Sequence, residues 1–165
     1  MKHWLRLLRH RWLDESDVHR VLDAAALGRL AARVQASERH HSGEIRICIE
    51  AGLPLSYLRR RAPARERALA MFGKLRVWDT EHNNGVLVYL LLADRDVEIV
   101  ADRGIHARVG EAMWQHVCEA MEAAFRDGRY EEGALAGIEA VSSLLAKAFP
   151  RSSGSSELPN RPVVI

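Results

Sequence analysis

Lysine is nearly missing from this chain. Of its 24 basic residues only Lys2, Lys74 and Lys147 are lysines, and the formal net charge over 165 residues is +2. Arginine carries the positive charge, and a balance this mild gives no expectation of a nucleic-acid partner, which needs cationic residues massed on one face. Cysteine is equally scarce: Cys48 lies in a strand-like run and Cys118 in a helix-like one, with no second Cys or spaced His beside either. That excludes a disulfide framework and a zinc site, and it fits small core residues in a reducing compartment. Long apolar runs are absent too. Val86 to Ala93 is apolar throughout yet far shorter than the roughly 20 residues of a membrane-spanning helix. The first residues, MKHWLRLLRHRW, are interrupted by Arg6, Arg9 and Arg11 and offer no continuous signal-peptide core. The expected location is the cytoplasm, at the inner face of the membrane if the basic N-terminal arm meets lipid.

What is present describes a globular protein of one domain, 48% hydrophobic and 28% charged, long enough to bury about two thirds of its unfolded surface. Asp14 to about His40 carries Val18, Leu22, Ala26, Leu30 and Val34 at four-residue spacing, which predicts an amphipathic helix or a bent pair. Glu44 to Glu50 alternates, with Ile45, Ile47 and Ile49 on one side, and reads as a strand. Ala68, Met71, Phe72 and Leu75 predict a helix from about Pro63. Val86 to Ala93 and Val97 to Ala101 predict an antiparallel hairpin around Asp94-Arg95-Asp96, its first strand covered on both faces. Met113, Val117, Met121 and Phe125 mark a helix stopped near Gly128, and Gly133 to Phe149 another. Together these predict an α/β protein, a small mixed sheet with a parallel crossover and an antiparallel hairpin, sandwiched between helices. The expected boundaries are a basic amphipathic arm over 1–13, one domain over 14–150 and a flexible tail over 151–165.

The hairpin also predicts a site. Pairing Ala93 with Val97 places Val88 opposite Asp102, within about two residues. The loop before the first hairpin strand and the loop after the second then share one sheet edge, together with His40 to Glu44 at the start of the parallel strand. Asp79, Glu81, Asn83, Asn84, Asp102, His106 and Glu111 become neighbours, with Arg76, Arg103 and Arg108 close by. Carboxylates and side-chain amides are hard oxygen donors suited to calcium or magnesium rather than zinc. Asn-Asn-Gly is equally what a strand entry needs for backbone reversal.

The blocks SGEIRICIEAGLP, RERALAMFGKLRVWDTEHNNGVLVYLLLADRDVEIVADRG and FRDGRYEEGALAGIEA, with the acidic Glu111 between the last two, resemble the TPM domain family of thylakoid-lumen, photosystem-repair and bacterial proteins. The resemblance covers about Leu22 to Ala146. It implies an α/β/α sandwich, and one of three activities: acid phosphatase chemistry, calcium binding in an acidic groove, or maintenance of membrane complexes. Asp79 and Asn83-Asn84-Gly85 look like the family's loop before the central strand. Gly104 looks like its glycine after the hairpin, and Glu111 stands where the pattern has Asp. His106 departs from the pattern's Glu, which should weaken calcium binding. With neither a signal peptide nor a membrane segment, the chain resembles a cytoplasmic branch.

Two functions follow. The first is a binding or regulatory module with an unidentified protein partner, linked to membrane-complex maintenance. The second is metal-assisted hydrolysis of phosphomonoesters, with Asp79, Asp102 and His106 as catalytic candidates and Asp79, Asn84, Asp102 and Glu111 as ligands for calcium or magnesium. Such hydrolysis needs a bound cation to take up phosphoryl charge, a nucleophile and a general acid; the acid would be His106. The ordinary alternative is that Asp79 caps a turn, Asp102 pairs with Arg103 or Arg76, and His106 is a surface residue. Arg59-Arg60-Arg61 with Arg65 and Arg67 fits a solvated helix entrance, and His40-His41 a loop. Trp4, Leu8 and Trp12, spaced by four among arginines, fit either a helix on an anionic membrane or in a partner groove, or one that folds back onto the domain.

Overall fold

A computed structural model describes residues 3–150 and 158–165. The chain runs α1 (His3–Trp12), α2 (Glu15–Val21), α3 (Ala24–Ser37), β1 (Glu44–Glu50), α4 (Leu55–Arg59), α5 (Ala64–Lys74), β2 (Gly85–Leu91), β3 (Asp96–Ala101), α6 (Arg103–Val109), α7 (Glu111–Arg126), α8 (Tyr130–Ala148) and β4 (Val163–Val164). The sheet order is β3-β2-β1-β4. β1 and β2 are parallel and β2 and β3 antiparallel, the mixed sheet expected from the sequence.

Strand alternation divides two cores. Ile45, Ile47 and Ile49 of β1 and Val86, Val88 and Leu90 of β2 pack with α2, α3, α7 and α8 through Leu30, Val34, Phe125, Ile138 and Leu145. Cys48, Leu87, Tyr89 and Leu91 point the other way and meet Leu58, Ala64, Ala68 and Met71 from α4 and α5. All seven residues of β2 are buried, because helices cover both faces of a central strand and leave no polar side to the pleat. This is the α/β/α sandwich. Burial pushes the thiols of Cys48 and Cys118 up to about 12, the behaviour of packed rather than reactive cysteines.

The first long amphipathic segment is a bent pair. Asp14 caps α2 in a reciprocal capping box, and Asp23 caps α3 by accepting from the Ala26 N–H at 2.7 Å. Two carboxylates satisfying orphan N–H groups nine residues apart divide one periodic stripe into two helices.

The sheet corrects two expectations. Leu91 pairs with Asp96, so the turn is Leu92 to Arg95 and Gly85, not Val88, lies opposite Asp102, three residues from the expected register. The long apolar run continues past the strand end because Leu92 and Ala93 stay buried in the turn. The second correction concerns the tail. Residues 158–165 are not loose: β4 adds to β1 in parallel, and the Ile165 N–H donates to the Ile49 carbonyl at 2.9 Å. The Leu158 N–H reaches the buried Glu44 carboxylate at 3.1 Å. Residues 151–157, where that expectation also fell, lie outside the described residues. No helix among the described residues is long and apolar enough to cross a membrane.

Candidate binding rim

The two polar stretches do meet. The Asp102 N–H donates to the Gly85 carbonyl at 2.9 Å, and the Glu44 N–H donates to the Asn84 carbonyl at 3.1 Å. The starts of β1 and β2 and the end of β3 therefore form one rim. The loop ahead of β2 is tight: Thr80 Oγ1 accepts the Asn84 N–H at 3.1 Å, and Asn83 takes the left-handed conformation at φ 50°, which asparagine tolerates better than most residues. A Cβ at position 104 would lie 2.6 Å from the Asn83 carbonyl oxygen, so only glycine lets the two loops touch this closely.

Within the rim the expected site residues separate. Asn84 is 1% exposed and donates from Nδ2 to the Ser42 carbonyl at 2.8 Å, whereas its Oδ1 is buried and has no hydrogen-bond partner among the described residues. Asp102 caps α6, its Oδ1 accepting the Arg103 N–H at 2.6 Å, and its Oδ2 is buried without a partner among the described residues. The contact from Arg103 is thus made by its backbone and not by its guanidinium. Asp79, Glu81 and Asn83 are exposed on the loop. His106 Nδ1 stands 3.8 Å from Glu111 Oε2, both side chains about half exposed. Arg108 turns away, donating to the Ala148 carbonyl at 2.5 Å and lying 4.3 Å over the Phe149 ring.

Asp79, Asp102 and Glu111 do not close on one point: among the described residues no three His, Cys, Asp or Glu side chains form a group able to hold a metal. Two oxygens, Asn84 Oδ1 and Asp102 Oδ2, remain as buried acceptors without donors. Such atoms cost free energy unless something outside the chain satisfies them. Their chemistry, one neutral amide and one carboxylate oxygen, suits a hard cation.

Sequence reasoning missed the supports of this rim. Thr80 and the buried His41, whose Nδ1 lies 2.9 Å from the Gly43 carbonyl oxygen, fix the loops from behind. Only the polar residues' position ahead of a strand could have signalled it.

A family model for the TPM domain matches residues 16–144. The chain belongs to the TPM domain family. Among solved structures this TPM domain is similar to the BA42 protein of the psychrophilic bacterium Bizionia argentinensis, with 29% identity, a TM-score of 0.76, and coverage of 87% of this chain and 95% of that one. It also shares its fold with the N-terminal domain of a protein from P. gingivalis, at 22% identity, a TM-score of 0.64, and coverage of 78% and 79% of the two chains. No protein with a curated description matches it.

Proposed function

We propose that this TPM domain is a binding module, its ligand held at the rim and its biological setting the maintenance of a membrane complex on the cytoplasmic side. One observation supports the reading most directly: Asn84 Oδ1 and Asp102 Oδ2 are buried acceptors without donors at one sheet edge. Calcium or magnesium is the proposed occupant. Asn84 and Asp102 would hold it, with the exposed Asp79 and Glu111 supplying further oxygens only by moving toward it. A bound cation would supply positive charge against which an anionic group of a partner could dock. With one carboxylate in place, the affinity belongs to the weak class of about 10⁻⁴–10⁻³ M.

Phosphomonoester hydrolysis is the second reading. It is favoured by the 3.8 Å approach of His106 and Glu111, which sets an imidazole beside a carboxylate as a pair able to pass a proton.

Isothermal titration with calcium, magnesium and manganese tests both. Binding in the millimolar range that disappears in Asp102→Asn, which retains a helix-capping side chain, is the expected result. No heat at millimolar metal would reject the cation site, and turnover of several phosphomonoesters abolished by Asp79→Ala would replace the binding module with the hydrolase.

A further inference from the structure

We propose that the outward face of α1, built from Trp4, Leu5, Leu8 and Trp12, is the surface by which this TPM domain lies on an anionic lipid bilayer. It stands at the opposite end of the sheet from the rim and does not depend on the reading given to that site.

The helix is packed inside out. Its polar side faces the domain: Arg6 donates to Asp94 from Nε at 3.0 Å and from Nη2 at 2.8 Å, and Arg9 joins the same carboxylate. His10 is buried, its Nδ1 accepting the Leu53 N–H at 2.9 Å and its Nε2 lying 3.1 Å from Asp94 Oδ2. The fit is close, since a Cβ at position 52 would come within 2.7 Å of the His10 carbonyl oxygen. A helix on a soluble domain normally buries its apolar stripe and shows water its charges. Here Trp4 is 55% exposed, Leu5 43%, Leu8 45% and Trp12 81%.

Their spacing puts them on one stripe. The apolar surface continues on both flanks. On one side a groove of about 770 Å³ is lined by Leu8, Trp12, Leu13, Val21, Leu92 and Tyr130. On the other a groove of about 600 Å³ runs past Leu7, Leu53, Pro54, Leu55 and Leu58. A contiguous apolar area of this kind marks an interaction surface rather than scattered exposure.

Charge decides the occupant. The helix HWLRLLRHRW contains no acidic residue, and the exposed Arg11 borders the stripe, with Arg95 exposed nearby. The carboxylates that follow belong to α2 and its cap: Asp14 caps the helix, Glu15 lies 3.7 Å from His19, and Asp17 pairs with Arg20 at 2.6 Å. A convex apolar ridge with tryptophan at both ends and arginine beside it fits the headgroup boundary of an anionic membrane, where indole rings settle and cations find lipid phosphate. At 10 residues the helix is roughly 15 Å long, half the thickness of a bilayer core of about 30 Å, so it lies on the surface and does not span.

Vesicle flotation of the full chain tests this, with phosphatidylcholine vesicles alone and with phosphatidylserine included. The protein should float with the anionic vesicles, remain below with the neutral ones, and float less as salt rises. Tryptophan emission should shift to the blue on binding. Trp12→Glu, and Trp4→Glu with Trp12→Glu, should reduce recovery by about tenfold or more, with circular dichroism and melting unchanged because both side chains are exposed. Recovery in the lipid-free fraction with anionic vesicles would overturn the proposal, as would equal flotation of wild type and double variant, or equal flotation on both vesicle types. A dimer seen by sedimentation and dissolved by Trp12→Glu would assign the face to a second copy instead, and would also overturn it.

Discussion

The two ends of the sheet treat their carboxylates in opposite ways. At the rim, Asp102 spends one oxygen on a helix cap and leaves the other buried without a donor. At the hairpin end, Asp94 collects Arg6, Arg9 and His10 on a single side chain. Burial pushes the Asp94 carboxyl up, but hydrogen bonding and charge from His10 and Arg6 outweigh it and hold the group well below the usual carboxylate range. Both residues are aspartates flanking β3, one in the turn before it and one directly after it. What separates a latch from a candidate site is whether the chain itself delivers the compensating donors.

The strongest way to break this contrast lies just inside the latched end. Glu50 is buried and held by Arg67, whose Nη2 approaches at 2.7 Å, and by the Tyr89 hydroxyl at 2.5 Å. Arg67→Ala leaves that carboxylate buried without its cation and should cost about 3–5 kcal/mol in urea denaturation; a loss below about 1 kcal/mol would mean that Glu50 is not a buried charge.

Asp94→Ala comes next. Removing the shared acceptor should cost about 1.5–3 kcal/mol and open the bonds after Arg6, Arg9 and Arg11 to trypsin. Because its folded pKa is depressed, the stability Asp94 lends is complete above its unfolded value of about 3.9 and fades as pH falls through the lower folded value. The arm should therefore become protease-sensitive in acid.

Asp96, two residues on, sharpens the comparison, because no cation is spent on it. Burial, then the charges of Glu122 and Asp94, push its carboxyl up to about 6. A raised acid stabilises the fold below the unfolded value near 3.9, and that stability is lost as pH rises through the folded value. Asp96→Asn should add about 1–2 kcal/mol at about pH 8 and little at about pH 4, read from thermal melts at the two pH values. The smallest effect on stability is expected at the rim: Asp102→Ala should cost about 1 kcal/mol through the lost cap, measured by the same melts.

Much of the architecture could be read in the sequence, because β2 and the helix stripes of α3, α7 and α8 carry strong periodicity. The convergence of Asn84 and Asp102 on one edge was legible for the same reason: a short hairpin connection forces it. The register was not, since Leu92 and Ala93 look like strand while lying in the turn. Neither was β4, whose two residues, Val163 and Val164, are too few to carry a period and pair with a strand more than 100 residues earlier. The buried acids Glu44 and Glu50 carry no local signal, because their partners Leu158 and Arg67 lie far along the chain. The arm's periodicity was visible, but which face would turn outward depended on Asp94, 85 residues from Arg9.

Side chains reach the main chain at both margins of the sheet. On one side Leu158 to Ile165 lies along β1, pinned by Arg46, which donates to the carbonyls of Pro159 and Arg161. On the other, Glu122 accepts the Val97 N–H at 3.3 Å and Arg65 donates to the Ile99 carbonyl at 2.5 Å. Each of these contacts occupies a main-chain group that a guest strand would otherwise take. Glu122 and Arg65 on one margin and Arg46 on the other thus act against strand-to-strand association.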